Sequence, residues 1–214
     1  MSSQLQSQQT DPGVAVRVGG WLFRYRTAVP LPIAAAVLTL RIGQAAPDRR
    51  LIAAGVALTA GGELLRLWAV RHIGTISRTR GERLGPLVTS GPFAVVRNPL
   101  YIGNIALWAG FAVTARLVWL ALLIVVLLAL EYHAIVRWEE RLLDLRFGDA
   151  YQAYVRRVPR WLPAIRWPAQ SSTRNGRASA PRRFSKGDAL FSERGTLIAI
   201  AAGYALIWWF KLRT

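Results

Sequence analysis

Cysteine is absent and histidine occurs only twice, at His72 and His133. A disulfide framework, a thiolate metal site and a cysteine nucleophile are thereby excluded, and two isolated imidazoles argue against a metal centre built from the protein. Acidic residues are scarce as well, 11 against 28 Lys and Arg, for a formal net charge of +17. Long polar alternation of the kind that builds a half-exposed sheet is missing too. What the 214 residues hold instead is apolar, 53% hydrophobic with nine Trp, and such a composition places the chain among membrane proteins. The basic residues flank apolar runs rather than covering a soluble domain, so the lipid bilayer and its anionic headgroups, not nucleic acid, are the expected partner.

The apolar runs predict an all-α fold, a polytopic membrane helix bundle of about five transmembrane helices with a cytoplasmic amphipathic helical segment. They are residues 21–42, interrupted by Pro30 and Pro32; 51–70, with Glu63 and Arg66 near its end; 100–115; 118–136; and 195–210. A spanning helix needs about 20 residues at about 1.5 Å each, so the third and fifth runs are expected to borrow flanking residues or pack against protein. Only Ala115 and Arg116 separate the third run from the fourth, which predicts an antiparallel helical hairpin. Four segments follow: a disordered polar tail over 1–20, a membrane core over 21–163, a basic linker over 164–194 and a C-terminal transmembrane helix over 195–214. The Gln- and Ser-rich start has no charged stretch leading into a cleavable apolar one, so it reads as polar tail and not as a signal peptide.

Arg71, Arg78, Arg80, Arg83 and Arg97 lie between the second and third runs, and a basic series over 137–194 follows the fourth. The bias of Lys and Arg toward the inner side puts both loops and the N-terminus in the cytoplasm, with a bacterial inner membrane as the expected setting. Arg49 and Arg50 on the opposite loop are exceptions. Over 137–154, Trp138, Leu142, Leu145, Tyr151 and Tyr154 recur at helical spacing between charged residues, which predicts an amphipathic segment at the membrane surface, broken near Phe147 and Gly148. Pro159 and Pro163 end it.

Between two membrane-length runs, residues 87–103 form a polar hinge punctuated by Gly91, Pro92, Pro99 and Gly103. The hairpin brings Arg97, Asn98 and Tyr101 at one foot near Glu139 and Glu140 at the other. Glu140 reads either as a clamp for a charged ligand or, with Glu139, as part of an ordinary surface network with Arg141, Arg146 or a basic loop, and spacing leaves both open. Tyr101 reads either as a site residue or as an interfacial anchor. Pro99 suits the first position of a helix, and Gly91 and Gly103 suit close approach of backbone or ligand. Glu63 and Arg66, three apart on a helix, are expected to pair. Glu131 and His133, at the inner end of the fourth run, read as acceptor recognition or as interfacial solvation, and His72 as a cap of the second run near the headgroups.

The order Gly91, Pro92, Phe93, Arg97, Asn98, Pro99, Tyr101 and Gly103, then after a hairpin Glu139, Glu140, Leu143, Phe147, Gly148, Tyr151, Tyr154, Val158, Pro159 and Arg160, resembles the isoprenylcysteine carboxyl methyltransferase and phospholipid methyltransferase superfamily over about residues 64–163. The resemblance implies an integral membrane enzyme that binds S-adenosylmethionine in a cytoplasmic-side pocket made from these two motifs, without a soluble nucleotide-binding domain. It implies further that Thr89, Gly91, Arg97, Asn98, Tyr101, Gly103, Glu139, Glu140, Tyr151 and Tyr154 bind the cofactor, and that Glu131 and His133 are candidates for the acceptor. Many relatives carry His where Asn98 stands. Asn cannot take up a proton near neutral pH, which removes a general base from this position; no catalytic acid or base and no metal is assigned. The transferred methyl would go to a carboxylate, amine or thiol of a lipophilic or small acceptor. The alternatives are a nicotinamide-dependent membrane reductase of the sterol-reductase type and a non-enzymatic lipid-binding scaffold.

Overall fold

A computed structural model describes residues 14–73, 87–163 and 185–213. Among them the structure is helical, with no strand: α1 (Val14–Tyr25), α2 (Pro30–Thr39), α3 (Arg49–Ile73), α4 (Pro99–Thr114), α5 (Val118–Phe147), α6 (Asp149–Val155) and α7 (Lys186–Ile207). A short 3-10 turn, Gly91–Ala94, precedes α4, and a π turn, Trp208–Leu212, extends α7. Arg78, Arg80, Arg83 and most of the basic linker lie outside the described residues, as do residues 1–13 of the expected tail.

Three helices are long and apolar enough to cross a membrane: Arg49–Ile73, Val118–Phe147 and Gly187–Leu212, the last counted through the π turn. Five crossings are therefore not what length supports. The first apolar run divides into α1 and α2, joined by a turn in which the Ala28 N–H donates to the Tyr25 carbonyl at 2.8 Å. Pro30 and Pro32 bring no N–H to a continuing ladder, so they begin a helix here instead of extending one. At about 1.5 Å per residue neither piece is membrane-length. The tail expected over 1–20 likewise gives way at Val14 to α1, whose alternating apolar and basic faces suit an interface. It packs on α5, where Gly19 and Gly20 let it lie against Ala134 and Trp138, with the Phe23 and Trp138 rings 4.8 Å apart.

The hairpin at Ala115 and Arg116 is present. The Leu117 N–H closes it onto the Ala112 carbonyl at 2.9 Å. Beyond the fourth apolar run, α5 continues unbroken into the amphipathic segment, because no Gly or Pro interrupts the chain until Gly148, at φ +48°.

α3 and α4 pack along a seam of small residues. A Cβ on Gly62 would stand 2.7 Å from the Gly103 carbonyl oxygen, and one on Gly103 would stand 2.7 Å from the Gly62 oxygen. The two backbones touch, and small residues are what allow it. Thr59 and Thr114 follow the same line and hydrogen-bond the Gly55 and Gly110 carbonyls of their own helices at 3.1 and 2.9 Å. α7 leans on this pair: Tyr204 donates to the Thr59 hydroxyl at 2.8 Å and its ring meets Phe111 at 5.2 Å. Leu107, Phe111, Leu117, Ile124, Leu128, Tyr132 and Ile135 form the core between α4 and α5. The outward faces of α5 and α7 keep large apolar side chains exposed, Leu122, Leu130 and Ile198 among them, as lipid-facing surfaces do.

Candidate functional site

The segment before α4 is pinned from two directions. Gly91 sits at φ +62°, which disfavours any side chain, and a Cβ there would run into the His72 imidazole. His72 is buried, with Nδ1 2.9 Å from the Trp68 carbonyl of its own helix, so it packs beneath the turn rather than reaching the headgroups. From the other side, the buried Tyr154 hydroxyl donates to the Phe93 carbonyl at 2.7 Å. Then the two motif segments pair: the Arg97 N–H donates to the Pro159 carbonyl at 2.9 Å and Asn98 Nδ2 to the Arg160 carbonyl at 3.2 Å.

That pairing assembles a charged cluster. Glu140 Oε1 accepts from Arg97 Nη1 at 2.8 Å and from Arg160 Nε at 3.0 Å, while Oε2 accepts from Arg160 Nη2 at 2.6 Å. Glu140 and Arg97 are separated by 43 residues, and neither is freely exposed. Beside it, Tyr101 donates to Glu139 Oε1 at 2.9 Å and stacks at 4.6 Å on Tyr132. Tyr151 hydrogen-bonds Arg97; burial pushes its hydroxyl up to about 12 and raises that of Tyr154 too. Both phenols thus stay protonated through the physiological range, Tyr154 donating and Tyr151 accepting from Arg97. Hydrogen bonding to Glu140 holds the Arg160 guanidinium above its ordinary range.

Arg97, Asn98, Tyr101, Glu139, Glu140, Tyr151 and Tyr154 are therefore brought together. Glu140 pairs with Arg97 and Arg160, both from the basic loops that the surface-network reading allowed. Thr89 is exposed, with no side-chain hydrogen bond among the described residues. Gly103 faces α3, against Gly62 and Arg66, and serves the helix seam. Glu131 and His133 stand two apart on α5, hence about 200° apart around it, and do not share one site. The exposed His133 stacks with Trp161 and lies 3.4 Å from its Nε1, whereas Glu131 keeps a buried oxygen without a partner. Arg160 is the member that was not assigned to the cofactor; its place at the end of the Val158, Pro159 and Arg160 motif was the available signal.

A second buried polar group lies deeper. Arg66 donates to Glu63 at 3.2 Å, to Glu193 of α7 at 2.5 Å, to Thr196 at 3.2 Å and to Asn104. The Glu63 and Arg66 pairing follows from sequence; Glu193, in the polar stretch at the start of α7, and Asn104, a single polar residue in an apolar run, complete it. Asn104 in turn hydrogen-bonds Tyr132, which links this group to Tyr101. Among the described residues no cluster of three or more His, Cys, Asp or Glu is placed to hold a metal ion.

Residues 51–150 match the phospholipid methyltransferase family, a match that takes in α3, the hinge, α4 and α5 and stops before Tyr151, Arg160 and α7. The chain is also 32% identical over 111 residues to the nickel-cobalt-cadmium resistance protein NccN of Alcaligenes xylosoxydans xylosoxydans, an alignment covering 52% of this chain and 47% of that one. The cobalt-zinc-cadmium resistance protein CzcN of Cupriavidus metallidurans matches at the same identity over the same 111 residues, again covering 52% and 47%. The chain thus spans about half the length of the curated relatives it matches. No solved structure matches it.

Proposed function

We propose, from the match of residues 51–150 to the phospholipid methyltransferase family, part of the isoprenylcysteine carboxyl methyltransferase-like superfamily, that this chain is a membrane-embedded methyltransferase using S-adenosylmethionine. The observation that carries the reading is the closure of Arg97 and Arg160 on Glu140 beside the Tyr101 and Glu139 pair. The side chains suit a zwitterionic cofactor. Arg97 Nε is buried with no partner, a donor open to a carboxylate, and Glu139 Oε2 carries no hydrogen bond among the described residues, an acceptor open to an ammonium or a ribose hydroxyl. Asn98, Tyr151 and Tyr154 would complete the wall, and Thr89 and the Gly91 backbone its rim.

The bound cofactor supplies an electrophilic methyl group. The chain's own contribution is to hold the acceptor in line, exclude water and surround the reacting atoms with apolar material, in which a sulfonium charge is readily lost. No acid or base need act if the acceptor arrives as a carboxylate or thiolate. The acceptor is proposed to be a lipophilic or small carboxylate, amine or thiol entering laterally from the bilayer. The cofactor site and N-terminus are proposed to face the cytoplasm of a bacterial inner membrane. The relatives' names describe resistance and not a reaction, so the acceptor is proposed from chemistry alone.

The direct test is incubation of the purified chain with membrane lipid extract and a labelled methyl donor, with mass spectrometry of the products. A labelled product lost in Glu140→Ala supports the proposal. Thermal stabilisation by a reduced nicotinamide and none by S-adenosylhomocysteine would overturn it in favour of a reductase.

A further inference from the structure

At the end of the bundle opposite Glu140, the chain gathers Arg41, Arg116 and Lys211 from three segments far apart in sequence. Arg41 Nη2 donates to the Phe210 carbonyl at 2.9 Å, Arg116 Nη2 donates to the Lys211 carbonyl at 2.9 Å, and Lys211 Nζ donates to the Leu40 carbonyl. The loop after α2 is fixed onto the α4–α5 turn as well, through Gln44 to the Ala115 carbonyl at 3.1 Å and the Ala45 N–H to the Arg116 carbonyl at 2.9 Å. Lys211 is fully buried.

No Asp or Glu among the described residues is within ion-pair distance of these three cations. Helix ends do not supply the missing charge. The C-termini of α2, α4 and α7 and the N-termini of α3 and α5 meet here, and at about half a charge per terminus they leave roughly half a negative charge against three positive ones. Each cation also spends few of its donors on the carbonyls. Arg116 Nε in particular is buried and has no acceptor. Around the cluster stand exposed Ile42, Trp208, Trp209 and Phe210, with Trp119 donating to the Ile42 carbonyl at 3.0 Å. Trp beside apolar side chains marks the level where lipid headgroups meet acyl chains.

We propose that Arg41, Arg116 and Lys211 form a binding site for the phosphate of an anionic lipid headgroup, on the membrane face opposite the methyl-transfer site. A phosphate oxygen would meet the unused guanidinium donors and the orphan Nε, and the acyl chains would lie along the Trp and Phe rim. This assignment stands on the cluster itself and does not depend on the methyltransferase reading.

Native mass spectrometry of the full chain in detergent, with added phosphatidylglycerol, phosphatidylcholine or inorganic phosphate, tests it. The expected result is retention of one phosphatidylglycerol, with at least tenfold weaker retention of phosphatidylcholine. In Arg41→Gln/Arg116→Gln, retention of phosphatidylglycerol should fall about tenfold. Arg49→Gln/Arg50→Gln removes the same charge from exposed positions at the same end and should leave retention unchanged. Equal loss in both double variants would reveal diffuse charge attraction and overturn the site, as would equal retention of the two lipids. Displacement of phosphatidylglycerol by inorganic phosphate would overturn the choice of a lipid ligand. Should the first double variant melt well below the parent chain, the single exposed Arg41→Gln decides: about threefold weaker retention supports the site, and none lost refutes it.

Discussion

Arg160 grips both oxygens of Glu140, Nε on Oε1 at 3.0 Å and Nη2 on Oε2 at 2.6 Å, and so ties the segment after α6 to α5. A two-pronged contact of this kind, made on the C-terminal half of α5, fixes orientation as well as charge. Glu140→Gln keeps the shape but offers one acceptor and no charge to two guanidiniums. Calorimetry in detergent should show S-adenosylhomocysteine binding weakened at least tenfold, about 1.4 kcal/mol. Unchanged affinity would remove Glu140 from the cofactor site.

Tyr101→Phe removes one hydrogen bond to Glu139 and keeps the ring on Tyr132. A bond to a carboxylate is worth roughly 1.5–3 kcal/mol. The expected outcome is a methyl-transfer rate that falls more than cofactor affinity does, read by comparing turnover with calorimetric binding; equal falls in both would make Tyr101 a plain binding residue.

The α3–α4 seam sets up a contrast between adjacent glycines. Gly62→Ala drives a Cβ to 2.7 Å from the Gly103 carbonyl, whereas a Cβ at Gly61 meets nothing within 4 Å. Gly62→Ala should lower the melting temperature by several degrees, the cost of forcing the helices apart being roughly 1–3 kcal/mol. Gly61→Ala should hold it or raise it, since Ala favours a helix by up to about 1 kcal/mol over Gly. A scan showing the two variants alike would refute the packing described.

Arg66→Ala leaves Glu63 and Glu193 buried without their cation. Losing one partner of a buried pair costs about 3–5 kcal/mol, and the folded yield in detergent should drop accordingly. Glu193→Gln leaves Arg66 with Glu63 and should cost much less. Restoration by the charge-free triple variant Glu63→Gln/Arg66→Met/Glu193→Gln would show that the carboxylates' loss of the Arg66 charge, not lost packing, was the cause.

Much of this was legible in the residues themselves. Hydrophobic length marked α3 and α5, and left α7 short until its flanking residues are added; two residues between apolar runs marked the hairpin; and hairpin closure marked Arg97 and Glu140 as neighbours. What was not legible depends on partners distant in sequence. Residues 21–42 read as one run because hydropathy does not register that Pro30 starts a helix. Gly103 read as a site residue because a glycine facing a helix and one facing a ligand look alike until the neighbour is known, here Gly62. Glu193 and Arg160 gain their roles only from the Arg66 and Glu140 they meet.

α4 has 16 residues, or about 24 Å of rise against a hydrocarbon layer of about 30 Å. If the Arg116 turn lies at one water boundary, the other end of α4 would stop short of the opposite boundary by about 6 Å. On the proposed placement of the cofactor site, Asn98 and Tyr101 would be sunk below the waterline, where a greasy acceptor could reach them while its tail stays dissolved among its neighbours. The water-soluble reactant would then be the one to make the descent.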